Sequence, residues 1–102
     1  MSKAFVVRYE MRPDTADENQ RLVENVFAEL AEKQPDGIAY ACFRLDDGET
    51  FVHVGISSDD SNALGETAAF QEFQKEFGER AATKPVASGA TLVGSYGFDR
   101  QA

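Results

Sequence analysis

One histidine, one cysteine and a short string of aromatic and basic residues in mid-chain hold most of the chemistry this sequence can offer. His53 sits in Thr50-Phe51-Val52-His53-Val54, a β-branched and aromatic run that reads as a strand. An imidazole with an ordinary pKa near ~6.5 is the natural acid/base group at neutral pH. The alternative is a buried histidine hydrogen-bonded across strands. Cys42 invites a thiolate–imidazolium reading, although no oxyanion loop or third orienting residue accompanies it. Arg44 is a guanidinium that must find a carboxylate, an anionic ligand or a partner subunit. An ion pair with Glu10 is its structural alternative. Tyr40 could hydrogen-bond an aromatic substrate, and Phe51 and Phe70 could wall it in; all three are equally ordinary packing residues. One histidine, one cysteine and unclustered carboxylates make no metal-ligand set.

The elements that must position these groups follow from periodicity. Residues 3–11 alternate roughly and predict a strand, broken at Arg12-Pro13-Asp14. Thr15-Ala16-Asp17-Glu18 predicts a capping box, with Asp14 as an alternative cap. Leu22, Val23, Val26, Phe27, Leu30 and Ala31 then form the apolar stripe of a helix of about 18 residues, stopped by Pro35-Asp36-Gly37. Strands are predicted at 38–45 and 50–56, joined through Asp47-Gly48 as a two-residue type I′ hairpin. A polar loop at 57–62 leads to a second helix over Thr67 to about Ala82, with Phe70, Phe73 and Phe77 on its buried face. A last strand is predicted at 90–98. This β-α-β-β-α-β order is that of an α+β ferredoxin-like sandwich, one domain over residues 1–102, with a four-stranded antiparallel sheet and both helices on one face.

The hairpin sets a register. Leu45, Phe43, Ala41 and Ala39 pair with Thr50, Val52, Val54 and Ile56, and this nearly all-apolar face is expected under the helices. The opposite face then carries Arg44 against Phe51, Cys42 against His53 and Tyr40 against Gly55. Two helices cover one face only, so the aromatic face would need another cover. Packing it against a second copy predicts a homodimer with a pocket between the sheets. The pattern does not decide whether Val7 and Tyr9 or Arg8 and Glu10 point inward from the first strand.

Composition excludes several classes. The chain has 102 residues and a net charge of −8, with a pI near 4.5, which disfavours nucleic acid and anionic membranes as partners. A lone cysteine cannot form an intramolecular disulfide, and no stretch reaches the ~20 apolar residues of a membrane span. The chain opens without the pattern of a signal peptide, so a cytoplasmic location is expected.

With this element order and an open sheet face, the chain resembles the dimeric α+β barrel superfamily, and within it the antibiotic-biosynthesis-monooxygenase-like family. The likeness is carried by Thr50-Phe51-Val52-His53-Val54, by Ala68-Ala69-Phe70-Gln71-Glu72-Phe73 and by Val93-Gly94-Ser95-Tyr96. It implies a homodimer with a substrate cavity between helices and sheet or inside the barrel. It also implies oxidation of a small phenolic or quinol-like aromatic by dioxygen without a cofactor. His53 would take the phenolic proton, because a phenolate gives an electron to dioxygen more readily than a phenol. Arg44, Tyr40, Cys42, Phe51 and Phe70 would then contact the substrate. Haem-degrading relatives use a histidine on the second helix with a tryptophan and an asparagine. This helix has no histidine and the chain no tryptophan, so no haem cofactor is expected. Against the oxygenase stand a non-catalytic dimeric module that binds a small aromatic or acidic metabolite, and a purely structural dimer without a cavity.

Overall fold

A computed structural model describes residues 2–35, 37–58, 67–94 and 96. Strand β1 (Ser2–Glu10) is followed by helix α1 (Ala16–Lys33), strands β2 (Ile38–Arg44) and β3 (Thr50–Ser58), short helices α2 (Ala68–Gln74) and α3 (Phe77–Arg80), and strand β4 (Val86–Ala90). The sheet runs β2-β3-β1-β4 with every neighbouring pair antiparallel. This is the ferredoxin-like α+β fold expected from the order of elements. No described helix is long and apolar enough to cross a membrane.

The hairpin register is as read from the sequence, with Cys42 opposite His53 and Arg44 opposite Phe51. Its turn differs. Gly48 has φ +77° while Asp47 stays out of the left-handed region, and Leu45 and Thr50 close a four-residue loop through a 2.8 Å hydrogen bond. Asp47 shapes this loop: its carboxylate accepts from the Thr50 hydroxyl at 2.6 Å and from the amides of Glu49 and Thr50. These bonds hold the carboxyl down to about 2, the Thr50 hydroxyl contributing most. Two- and four-residue loops preserve the same pairing, so the register survives the different turn.

The faces of the sheet are exchanged relative to the sequence expectation. Tyr9 and Phe51 are buried at 3% and 1% exposure, and they pack with His53 against the helices. Phe43 and Leu45 lie on the open face at 46% and 37% exposure. Polarity favoured burying the side with Val52, Val54 and Ile56, since the other carries His53, Gly55 and Ser57; side-chain volume decided otherwise. The large rings bury more area against the phenylalanines of α2 and α3 than alanine and valine would. On β1 this places Phe5, Val7 and Tyr9 toward the helices and leaves Arg8 and Glu10 exposed.

Helix α1 spans the 18 residues expected, but Thr15 makes no side-chain cap; its hydroxyl donates instead to the carbonyl of Arg80 at 2.7 Å. Gln34 ends the helix in the left-handed region at φ 47°, its amide bonded to the Leu30 carbonyl at 2.7 Å. The single second helix expected over 67–82 is two pieces, broken at Glu76 with φ +60°. The break frees backbone carbonyls that the buried Arg80 collects, Phe73 at 2.6 Å and Lys75 at 3.1 Å. Its guanidinium also lies over the Phe73 and Phe77 rings, at 5.5 and 5.7 Å.

At the start of α2 the Thr67 hydroxyl accepts from the Phe70 amide at 3.2 Å, and Glu29 of α1 accepts from the amides of Ala68 and Ala69. The last strand occupies Val86–Ala90 rather than 90–98. Thr91 to Gly94 have no regular structure, and most of the rest of that expected strand, like 59–62 of the expected polar loop, falls outside the described residues.

Phe51→Ala is expected to cost about 3–5 kcal/mol of stability, as for an aromatic removed from a closed core. Urea denaturation at several protein concentrations checks this. A loss that does not vary with concentration places Phe51 under the helices of its own chain.

Candidate functional site

His53 occupies the middle of β3, with Val7 of β1 and Cys42 of β2 as its lateral neighbours. Tyr9 and Tyr40 stand two residues further along those strands on the same face, the diagonal positions that long aromatic side chains bridge. The Tyr9 hydroxyl meets His53 Nε2 at 2.6 Å, and the Tyr40 hydroxyl bonds to Nδ1 from the other side. The imidazole is therefore clamped between two phenols. Cys42 Sγ approaches Nε2 at 3.5 Å. Behind Tyr9, Asn19 Nδ2 donates to its hydroxyl at 3.1 Å, and Arg80 Nε donates to Asn19 Oδ1 at 3.4 Å.

Burial decides the protonation states. His53 is 4% exposed, and desolvation lowers its pKa to about 4, so the ring is neutral at physiological pH. The same effect pushes the Cys42 thiol up to about 12 and raises both tyrosines above their ordinary range. A neutral thiol beside a neutral imidazole is not the activated pair that a nucleophilic cysteine requires.

A cavity of about 280 Å³ opens between the sheet and the α2–α3 segment, bordered by Phe5, Val7, Tyr9, Tyr40, His53, Phe70, Phe73, Gln74, Phe77 and Pro85. Of the residues singled out in the sequence it gathers His53, Tyr40 and Phe70. Cys42 touches His53 but does not border the cavity. Phe51 is core, stacked on Tyr9 with centroids 5.7 Å apart.

Arg44 is elsewhere. At the end of β2 it donates to Asp17 at 3.0 Å, Gln20 at 2.7 Å and the Gly48 carbonyl at 2.9 Å, and its guanidinium lies over the Phe51 ring. It ties the hairpin to α1; its carboxylate partner is Asp17 rather than Glu10. With the faces exchanged, the pocket expected between two sheets becomes a cavity between sheet and helices.

The sequence reading missed Tyr9, Asn19 and Arg80 as parts of the site. A signal existed for each. Asn19 lies four residues before Val23 and seven before Val26, a polar member of the buried stripe. Arg80 continues the spacing of Phe73 and Phe77 by three residues. Tyr9 pairs directly with Phe51.

The fold has close counterparts among solved structures. A candidate antibiotic biosynthesis monooxygenase from Bacteroides thetaiotaomicron superposes with a TM-score of 0.80 at 11% identity, covering 98% of this chain and 96% of that one. A second, from Caulobacter crescentus, gives 0.73 at 22% identity over 91% of each chain. The chain has the antibiotic biosynthesis monooxygenase fold. A mutant of SnoaB, described as a cofactor-independent oxygenase from Streptomyces nogalater, shares this fold with a TM-score of 0.68 at 14% identity, covering 94% of this chain and 97% of its own. No protein-family model matches the sequence, and no curated protein matches it. Among the described residues no cluster of histidine, cysteine and carboxylates could hold a metal ion.

A pH titration of the single histidine followed by NMR is expected to show a midpoint near 4 instead of 6.5. The unfolded chain takes up this proton first as pH falls below ~6.5. The stability present above that pH therefore declines, by roughly 3 kcal/mol, as pH drops through the folded-state value. Thermal unfolding at pH 7 and pH 4 measures the loss.

Proposed function

We propose that the protein is a cofactor-independent monooxygenase oxidising a small phenolic or quinol-like aromatic in the cavity between the sheet and α2. The observation that carries this reading is an aromatic-walled space bordered by a hydrogen-bonded hydroxyl–imidazole pair, Tyr40 and His53. An apolar cavity of about 150 Å³ holds benzene. The 280 Å³ here suits one or two fused rings. The SnoaB structure, sharing the fold and described as a cofactor-independent oxygenase, supports the reaction class.

The balanced reaction needs no outside reductant. A phenol with a free ring C–H and one O₂ give a quinone and one water; one oxygen atom enters the ring, the other leaves as water, and all four electrons come from the substrate. With a pKa near 4, His53 is too weak a base to hold a phenolic proton in the resting site. The pair's contribution is instead to steady the ionised substrate oxygen, the form that releases an electron to dioxygen; the phenol gives up its proton to bulk water before it enters as the phenolate. Tyr40 is the group that meets that oxygen and His53 supports it. Phe70, Phe73 and Phe77 hold the ring and exclude water.

The test is oxygen consumption with a panel of monocyclic and bicyclic phenols and quinols, with ¹⁸O₂ labelling of the product. One O₂ per substrate and one labelled oxygen atom in the product are expected. Tyr40→Phe should lower kcat/KM roughly 100-fold, the scale of removing one hydrogen-bond donor to a developing oxyanion. Saturable binding without oxygen uptake would overturn the oxygenase in favour of a binding module.

The working unit in this reading is a homodimer. The open face presents Ala4, Val6, Ala39, Ala41, Val54 and Ile56, apolar side chains bordering a trough that runs to Leu92 and Val93. Such a face is costly in water, and a second sheet packed on it would cover it. A solution mass twice the 11.2 kDa of one chain is expected, and Val54→Lys should return it to one chain. A single-chain mass for the unaltered protein at micromolar concentration would overturn the dimer.

A further inference from the structure

The hydrogen bonds behind His53 have a direction that can be derived donor by donor. Arginine only donates, so the Arg80 Nε contact assigns the oxygen of the Asn19 amide to the Arg80 side. The Asn19 NH₂ must then point at Tyr9, whose oxygen accepts it. Tyr9 is buried, and His53 Nε2 at 2.6 Å is the acceptor within reach of its hydroxyl proton. An Nε2 that accepts leaves a neutral imidazole with its proton on Nδ1. The Cys42 thiol at 3.5 Å from Nε2 is compatible only as a second donor to the same lone pair. Nδ1–H in turn donates to the Tyr40 oxygen. Tyr40's own proton is then left for whatever fills the cavity that Tyr40 borders.

We infer that Asn19 and Arg80 are positioning residues that hold His53 in its Nδ1–H tautomer, so that Tyr40 presents a proton to the cavity and the site selects aromatics bearing an ionised or carbonyl oxygen. The tautomer assignment stands without any substrate. The ligand class rests on the cavity being the substrate site of the proposed oxygenase. Arg80 thus has a second consequence beyond bonding the carbonyls freed at the helix break. Its buried guanidinium is the fixed end of a relay of four hydrogen bonds, Arg80 to Asn19 to Tyr9 to His53 to Tyr40.

Because the chain has one histidine, ¹⁵N-labelled imidazole shifts report its tautomer without ambiguity. The unaltered protein at neutral pH is expected to show the Nδ1–H form. Asn19→Asp is the decisive variant. It is close to isosteric, and Arg80 beside it supplies a counter-charge. The carboxylate, having no proton to donate, accepts a hydrogen bond from the Tyr9 hydroxyl, which leaves the Tyr9 oxygen to accept from His53, so the ring is expected to switch to Nε2–H. An Nε2–H form in the unaltered protein would overturn the assignment, and so would an unchanged tautomer in Asn19→Asp.

The ligand class is read with 4-nitrophenol, whose colour reports its ionisation. The unaltered protein is expected to bind the phenolate at least tenfold more tightly than Asn19→Asp does. Preferential binding of the neutral phenol by the unaltered protein would overturn the donor role of Tyr40. None of these readouts depends on oxygen consumption, so a dead oxygenase with the expected tautomer would refute the proposed reaction and leave the relay standing.

Discussion

A neutral imidazole buried in an aromatic core is the constraint around which the molecule is arranged. His53 is closed off from solvent, and a buried polar ring without partners would be strongly destabilising. Its two nitrogens are met by Tyr9 and Tyr40, one on each flanking strand. That requirement ties β1, β3 and β2 together on one face. It also brings α1 into the same network, because Asn19 meets the Tyr9 hydroxyl and Arg80 meets Asn19. Among the described residues no buried side-chain nitrogen or oxygen lacks a partner. The core is therefore polar at its centre and apolar around it, the arrangement in which hydrogen bonds specify geometry most strongly.

The cavity follows from the same exchange of faces that buries His53. Had the alanine and valine face met the helices, the layers could have closed with little space between them. With tyrosine, histidine and phenylalanine side chains on both sides, rings meet at tilted and edge-on angles, as for Tyr9 against Phe77 at 4.8 Å and 89°. Rigid rings at such angles fill space unevenly, and a cavity remains beside Tyr40 and His53. Glu29 fixes the helix that roofs it. Its carboxylate accepts from two amides at the start of α2 and pairs with Lys33 at 2.7 Å, which lowers its pKa. The roof is held from α1 at one end and by Arg80 at the other.

Arg80 shows how one side chain serves both stability and the site. A guanidinium 6% exposed, with no carboxylate contact among the described residues, is an expensive group to bury. It is stabilised by carbonyls that the break at Glu76 leaves open and by two phenylalanine faces. The break and the arginine thus require each other. Without the break there would be no free carbonyls at Phe73 and Lys75; without the arginine the Phe73 carbonyl would be buried unbonded.

Element order, the length of α1 and the pairing of β2 with β3 were legible in the sequence, because periodicity and turn residues act locally. The histidine strand and the aromatic run of α2 were legible for the same reason. Local signals pointed to the wrong face of the sheet, since the more apolar side of β3 is Val52, Val54 and Ile56 and the choice depends on volumes brought by distant elements. They did not separate Arg44 from the site; its partners Asp17 and Gln20 lie more than twenty residues away. The break in the second helix was hidden because its compensation comes from the tertiary position of Arg80. The sequence by itself determined which groups could do chemistry. Tertiary structure decided which of them meet, because burial, hydrogen-bond direction and ring packing belong to the assembled layers and not to any one element.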